Sequence, residues 1–313
     1  MSDTIRPRHP LLVLVWSFGI LIAMNLHQYL GVLIGAMMGG FTFEEVISGK
    51  GRNLFSQLGH GVTAVVIGLP LAWLIIRFLW RRSFDWMRLR FNGRLALGGF
   101  ALGLLLPLAV LTVISAVGNV NVTAVPSRLT AGDFAVILAG TLCWMSFIAF
   151  SEETVFRGMV VREWASRWGW KAATLLGGLW FGALHLTGIE GGLTFVSAIW
   201  VLIAGVAVTV LFVALYVRGR SLWLPIGFHL GWNLCLDGLL GVTISGKEPG
   251  FSLFQMNTSG PAWLTGGAFG MEASVVAIAV YLAVAILVLR LGRPGGIQIL
   301  NPRPEGFSEQ RVV

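Results

Sequence analysis

The sequence predicts an all-α polytopic membrane protein, a bundle of about eight transmembrane helices. Its 313 residues are 56% hydrophobic and only 12% charged, whereas about 25% of the residues in typical soluble domains are charged. The hydrophobic residues form long uninterrupted runs, and roughly 20 such residues are enough to cross the hydrocarbon layer as a helix. Most lysine and arginine residues lie at the ends of these runs, which is typical of membrane proteins.

Hydrophobic runs divide the chain into eight predicted spans. The first run follows Arg6 and Arg8 but is too long for a cleaved signal peptide, so we interpret it as a retained first span. Residues 1–130 form an N-terminal three-span region, 131–292 a membrane core, and 293–313 a tail that we expect to be disordered and cytoplasmic. The predicted spans are 11–36, 57–80, 95–118, 133–157, 171–187, 193–217, 221–243 and 272–291.

Basic residues give the orientation of these spans. With the N-terminus inside, all but four of the 22 lysine and arginine residues fall in cytoplasmic segments; the exceptions are Lys50, Arg52, Arg128 and Lys247. Cytoplasmic connections carry an excess of these residues, so both termini are expected in the cytoplasm, at a bacterial inner membrane. The basic residues form no patch, and we therefore expect contacts with membrane lipid and none with nucleic acid.

Ionisable groups within spans are costly and indicate functional sites by default. Residues 151–158, with the sequence SEETVFRG, lie near the cytoplasmic end of the fourth span. Glu153 and Arg157 have the spacing and order that favour an ion pair on one helix face. Glu152 points about 100° away from Glu153, which leaves its carboxylate free to face a cavity. The alternative is a purely structural salt bridge at the membrane interface.

Two further spans carry polar side chains. His185 lies in span five, four residues after Phe181. In span seven, His229 and Asn233 share a helix face by their spacing, and Asp237 continues that stripe, although we interpret Asp237 as lying near the outer interface. The alternative for these groups is a structural hydrogen bond between helices. The remaining histidines are interpreted as interfacial or structural; they are His9, His27 and His60.

Glycine pairs in the same two spans predict close helix contacts. Gly178 and Gly182 in span five, and Gly227 and Gly231 in span seven, have the spacing that lets helix backbones approach each other. His229 falls opposite its glycine pair at 100° per residue. Span seven is therefore expected to pack with one face and to present polar groups with the other.

A carboxylate and two imidazoles on three spans provide what hydrolysis needs. A base must deprotonate water, and hydrogen-bond donors must meet the oxyanion as it forms. Glu152, His185 and His229 could instead bind Zn²⁺ with a position left open for water. The residue types leave both alternatives open.

The order of these motifs resembles the CPBP family, which comprises the CAAX-type prenyl endopeptidases and bacterial bacteriocin-processing or self-immunity proteins. The motifs 152–157, 181–185 and 229–233 fill all of the signature positions of that family. The resemblance implies an intramembrane endopeptidase, with 131–292 as its catalytic core. Its expected substrate is a membrane-associated or lipidated, CAAX-like peptide.

The resemblance also implies roles for the individual residues. Glu152, with His185, would hold and activate the water, and His229 and Asn233 would stabilise the oxyanion. Glu153, with Arg157 in support, completes the implied catalytic set. The family is described both with zinc, for which Glu152, His185 and His229 are the candidate ligands, and with a metal-free glutamate mechanism, so Zn²⁺ is an open alternative.

The depths of these residues constrain how they can meet. By helix rise, Glu152, His229 and His185 lie about 15, 12 and 21 Å from the nearest cytoplasmic border. Their convergence requires tilted helices, which are ordinary in membrane bundles. We expect them to meet in one water-filled cavity that opens to the cytoplasm.

Two functions of other classes also fit the sequence. A proton-coupled membrane transporter could use a Glu/His relay, but an internal repeat and pairs of broken helices, which many such carriers have, are missing. A non-catalytic immunity or scaffold protein could share the fold. All signature positions of the three motifs are filled, which argues against a family member whose motifs have degenerated.

We predict that reporter fusions made after Arg8 and after Arg303 will both report a cytoplasmic location. The reason is the concentration of basic residues on one side of the predicted spans. An extracytoplasmic signal from either fusion would contradict the eight-span map.

Overall fold

A computed structural model describes residues 8–47, 53–117, 119–124, 129–189 and 192–291. The predicted tail, 293–313, lies outside these ranges. Within them, helices form nearly all of the regular structure, which confirms the predicted all-α membrane class. The α-helices are α1 (Pro10–Asn25), α2 (His27–Met38), α3 (Phe43–Ile47), α4 (Leu54–Thr63), α5 (Leu69–Leu74), α6 (Gly93–Val117), α7 (Ala131–Glu153), α8 (Arg162–His185), α9 (Phe195–Gly219), α10 (Trp223–Asn233), α11 (Ala262–Thr265) and α12 (Val275–Arg290).

Wider π-helical turns extend several of these helices. The π-helical segments are Ala64–Gly68, Ile75–Trp80, Thr154–Val161 and Leu234–Leu240. Two of them directly follow α7 and α10, the helices that carry the first and third sequence motifs. Such turns occur frequently at functional sites because they change which side chains face a neighbouring helix.

Among the described residues, five helices are long and hydrophobic enough to cross a membrane: Pro10–Met38, Leu54–Trp80, Gly93–Val117, Ala131–His185 and Phe195–Gly219. The fourth has 55 residues, so as a straight rod it would measure about 80 Å, far more than a bilayer core. Gly169 breaks it, because its φ of 78° and ψ of 159° are not helical. This break separates the predicted fourth and fifth spans. The shorter apolar helix α12 coincides with the predicted eighth span, and the count of eight stays a prediction.

Glycines bring several pairs of helices into backbone contact. A Cβ atom at Gly227 or Gly231 of α10 would meet carbonyl oxygens of α6, and one at Gly178 or Gly182 of α8 would meet the backbone of α9. The same holds for α2, where Gly35 lies against the backbone of α4. The predicted glycine contacts of spans five and seven are therefore confirmed.

One end of the bundle is rich in arginine, and we call it the Arg-rich end. The Arg82 guanidinium pairs with Glu163 at 2.7 Å, and Arg162 Nη1 donates to the Tyr216 hydroxyl at 2.9 Å. The backbone amide of Arg8 donates to Glu163 Oε2 at 3.3 Å. These contacts join the start of α1, the connection before α6, the start of α8 and the end of α9.

The opposite end is covered by residues 241–260, which we call the cap. The cap contains the strand β2 (Gln255–Ser259). This strand pairs antiparallel with β1 (Asn119–Ala124), which follows α6. Gln57 of α4 holds the middle of the cap, because its Oε1 accepts from the Phe251 amide at 2.8 Å and its Nε2 donates to the Phe251 carbonyl at 3.1 Å. The cap is thus fastened to both halves of the chain.

We predict that Gly103→Ala in α6 will lower the unfolding temperature of the purified protein. The added methyl group would meet the Phe228 carbonyl oxygen, and overpacking of this kind typically costs about 1–3 kcal/mol. Gly98→Ala on the same helix is the matched control, because a methyl group at that position would have no neighbouring atom within 4 Å. Equal unfolding temperatures for the two variants would show that the α6–α10 contact is not close.

Candidate active site

The first motif forms a buried ion pair. Glu153 ends α7, and Arg157 lies in the π-helical segment that follows. The Arg157 Nη1 atom donates to Glu153 Oε1 at 2.9 Å, and both side chains are fully buried. Arg157 Nη2 donates in addition to Thr209 Oγ1 of α9 at 2.9 Å. The predicted pairing of Glu153 with Arg157 is confirmed, and it reaches a third helix.

His229 lies between the two glutamates of that motif. Its Nδ1 is 3.0 Å from Glu153 Oε1, and its Nε2 is 3.9 Å from Glu152 Oε2. At the first contact the nitrogen carries the proton, because an ionised carboxylate can only accept. Glu153 therefore fixes the ring of His229 as well as pairing with Arg157. The spacing of the motifs did not predict this second contact.

His185 is held by its own helix. It is the last residue of α8, and its Nδ1 lies 2.8 Å from the Phe181 carbonyl oxygen. A carbonyl can only accept, so Nδ1 carries the proton and the neutral ring keeps a lone pair on Nε2. The aromatic ring of Phe181 also contacts the imidazole, at 4.4 Å between centroids. The second motif thus fixes both the tautomer and the position of this histidine.

A single cavity of about 580 Å³ brings the predicted residues together. Its lining includes Glu152, His185, His229 and Asn233, which come from α7, α8 and α10. The volume falls within the usual range for small-molecule pockets. Asp237 lines the same cavity, and its Oδ1 accepts from the Gly250 amide of the cap at 3.2 Å.

Glu272 is a residue of this cavity that sequence reasoning missed. It accepts from Trp232 Nε1 of α10 at 3.0 Å, and from the amide and hydroxyl of Ser245 at 2.8 and 3.1 Å. It is also close enough to His185 for electrostatic interaction. In the sequence, Glu272 is an acidic residue at the very start of a hydrophobic run. An acidic residue in this position is also common at the boundary of an ordinary span, so it does not by itself indicate a site.

Polar residues of the first two spans also line the cavity, and no spacing along the chain indicated them. Asn25, Gln28 and Gln57 are among these lining residues. His60, interpreted from the sequence as interfacial or structural, lies there too, and its ring contacts that of Trp144 with centroids 3.7 Å apart. A polar side chain within a hydrophobic run was the only signal for each.

The cavity residues do not fit a zinc site as they stand. Within the described residues, no three His, Cys, Asp or Glu side chains are grouped as metal ligands would be. His229 uses Nδ1 for Glu153, and only its Nε2 lies near Glu152, at 3.9 Å. Zinc bound by Glu152, His185 and His229 would therefore need these side chains to rearrange.

The cavity extends towards the cap and away from the Arg-rich end. Among the described residues, none that line it belongs to the connections at the Arg-rich end, whereas Lys247 and Glu248 of the cap do line it. The physical reason is that the Arg157 side chain and the aromatic rings around it fill the bundle below the motif.

We predict that Arg157→Ala will lower folded yield and unfolding temperature far more than Glu152→Gln. Removal of Arg157 leaves Glu153 buried without its cation, and breaking such a pair costs about 3–5 kcal/mol. Glu152 makes no comparable contact, and 19% of its side chain is exposed. The measurement is thermal unfolding in detergent, and similar losses for the two variants would contradict the structural role of the pair.

Comparison with known protein families matches one segment of the chain. The family model described as Type II CAAX prenyl endopeptidase Rce1-like matches residues 134–235, about a third of the sequence. The matched segment contains all three motifs and confirms the resemblance to the CPBP family. No curated protein and no solved structure matches the chain significantly. Residues 134–235 thus carry the pattern of the Rce1-like family of CAAX prenyl endopeptidases.

Proposed function

We propose that the protein hydrolyses a peptide bond in a membrane-associated or lipidated substrate, using a water molecule activated by Glu152. The observation that carries this proposal is the unequal placement of the two adjacent glutamates. Glu153 is fully buried and held by Arg157 and His229, whereas Glu152 faces the cavity. A carboxylate that is free to exchange a proton beside a fixed imidazole is a suitable general base.

In the proposed first step, Glu152 takes a proton from water, and the resulting hydroxide attacks the carbonyl carbon of the scissile bond. His185, whose Nε2 lone pair is not used by the Phe181 contact, assists in holding this water. Negative charge then develops on the carbonyl oxygen. Donors that are already in position are the main means by which proteins stabilise such an oxyanion.

His229 and Asn233 are the proposed donors. Because Nδ1 of His229 is held by Glu153, Nε2 is the atom that can meet the substrate, and it donates when the ring is in its imidazolium form. The amide group of Asn233 lies one turn further along the same face of α10. Collapse of the intermediate breaks the C–N bond, and Glu152 returns its proton to the departing amine.

Glu153, Arg157 and Thr209 act in this scheme as positioning residues. They touch neither water nor substrate, but they fix the ring plane of His229. The Phe212 ring, stacked on His229 with centroids 5.3 Å apart, restricts it from the other side. An oxyanion donor held this way keeps its geometry during the reaction, which is a requirement for efficient catalysis.

We predict that purified protein will cleave a lipidated reporter peptide and that Glu152→Gln will lower kcat at least 100-fold, since general base catalysis contributes about 10²–10⁴. Asp85→Asn is the matched control, because that carboxylate is 78% exposed and far from the cavity. Equal rates in Glu152→Gln and unaltered protein would contradict the proposed base. Absence of any cleavage would favour the carrier or the scaffold.

The same preparation tests the cofactor. A metal-free mechanism predicts full activity after treatment with a chelator and no stoichiometric zinc by elemental analysis. Zinc at one equivalent, lost together with activity on chelation and lost in His185→Ala, would instead support the alternative in which Glu152, His185 and His229 are ligands.

A further inference from the structure

We propose that a groove at the Arg-rich end binds the phosphate group of an anionic phospholipid. The groove is separate from the cavity that contains Glu152, and its assignment does not depend on the proposed hydrolysis. Two observations carry the proposal: guanidinium groups outnumber the carboxylates around the groove, and exposed aromatic side chains continue from the groove along the outer surface of the bundle.

The groove lies where the long helix Leu54–Trp80 ends and the chain turns towards α6. Its volume is about 950 Å³, and all of its lining residues lie between 77 and 91. Arg81 ends the helix in the left-handed conformation, with a φ of 56°. Arg88 has the same conformation, with a φ of 57°. The chain changes direction at both positions, so one short segment forms every wall of the groove.

Positive charge dominates the lining of the groove. Arg82 is paired with Glu163 at 2.7 Å, and Arg90 lies 3.9 Å from the exposed carboxylate of Asp85. Among the described residues, no carboxylate lies within 4 Å of the other two guanidinium groups. The lining contains four arginines and a single acidic residue: Arg77, Arg81, Arg82, Arg90 and Asp85.

The guanidinium groups near the groove also repel one another. Arg8, which precedes α1, lies close enough to Arg82 and Arg81 for their charges to oppose its own. Burial, followed by the charge of Arg82, lowers the pKa of Arg8, and the carboxylate of Glu163 only partly offsets this. A phosphate in the groove would reduce the repulsion, because guanidinium groups form strong, often bidentate hydrogen bonds with phosphate oxygens.

Aromatic side chains connect the groove to the outer surface of the bundle. Phe78 and Phe91 line the groove and are 58% and 72% exposed, and Phe84 lines it as well. The exposed ring of Trp73 lies 6.3 Å from that of Phe78 and 6.4 Å from that of Phe84. Trp73 is about 7 Å further into the span by helix rise. Aromatic residues at this level are typical of the membrane interface, and they would contact the acyl chains of a lipid whose phosphate lies in the groove.

The charge excess favours an anionic headgroup over a zwitterionic one. A zwitterionic lipid carries its own ammonium group, which the unpaired guanidinium groups would repel. The predicted orientation of the spans puts this end at the cytoplasmic leaflet. Each basic group close to an anionic membrane surface strengthens binding about fivefold. Arg77 and Arg81 are therefore expected to contribute most of the preference for an anionic lipid.

The first experiment measures lipid binding to the purified full-length protein in a neutral detergent. Phosphatidylglycerol and phosphatidylcholine with identical acyl chains are titrated separately, and native mass spectrometry counts the lipids bound. We expect phosphatidylglycerol to bind about tenfold more tightly, because two guanidinium groups favour its charge. Equal affinities for the two lipids would overturn the proposal.

A pair of double variants assigns the binding to the groove. Arg77→Gln combined with Arg81→Gln should weaken the binding of phosphatidylglycerol about tenfold or more. The matched control is Arg218→Gln combined with Arg290→Gln, which removes the same charge from exposed arginines in the last turns of α9 and α12. This control should bind the lipid as the unaltered protein does. Equal losses in the two double variants would reduce the effect to general surface charge and overturn the site.

A third variant should change the affinity in the opposite direction. Asp85→Asn removes the single carboxylate from the lining of the groove and should tighten the binding of phosphatidylglycerol about fivefold. Partial unfolding would not produce such a gain, so this result supports the proposal even if the arginine variants fold poorly. Unchanged or weaker binding in Asp85→Asn would contradict it.

Soluble competitors distinguish a lipid from a free anion. Inorganic phosphate and glycerol phosphate share the charged group of phosphatidylglycerol but lack the acyl chains that the aromatic rings would contact. Neither compound should displace the bound lipid when added in equimolar amounts. Displacement by either would assign the groove to a soluble phosphate and overturn the assignment to phospholipid.

Discussion

The buried contact of Arg157 with Glu153 is the interaction on which the rest of this structure depends. A guanidinium at this depth is tolerable only because a carboxylate, a threonine hydroxyl and aromatic rings surround it. That arrangement ties α7 to α9, and through the second contact of Glu153 it also fixes His229 on α10. The same side chains block the bundle towards the Arg-rich end, so one cluster sets the geometry of the site and the direction of its cavity.

Spacing along single helices was enough to predict part of this arrangement. It identified the pairing of Glu153 with Arg157 and the shared face of His229 and Asn233, because both are properties of one helix. The contact between Glu153 and His229 joins two helices that are far apart in sequence, and no periodicity reports such a distance. The cap was equally out of reach, since a segment rich in glycine and serine has no repeating pattern to interpret.

The polar residues lie at different depths along their helices and still line one cavity. Helix rise placed His185 deeper than Glu152 or His229 when measured from the Arg-rich end, which suggested that tilted helices must bring them to one point. In the structure, the lining of one cavity includes Phe156 and Lys247 of the cap, and the His185 ring lies 6.2 Å from that of Phe269, whose carbonyl accepts from the Gly246 amide of the cap. Groups at unequal depths can therefore share a cavity, provided that the cavity runs in the direction of the helices.

The lining of this cavity comes from two sources. The proposed reacting groups belong to the segment that matches the family model, 134–235, whereas Asn25, Gln57, Ser245 and Glu272 lie outside it. Under the proposed function, the residues for the chemistry and those that contact the rest of the substrate would lie in separate stretches of the chain. Changes in the first two helices or in the cap would then alter which substrate side chains the cavity accepts, while the proposed reacting groups stay unchanged. Related proteins with the same proposed reacting groups could then differ in the peptides that they accept through substitutions in the rest of the cavity lining alone.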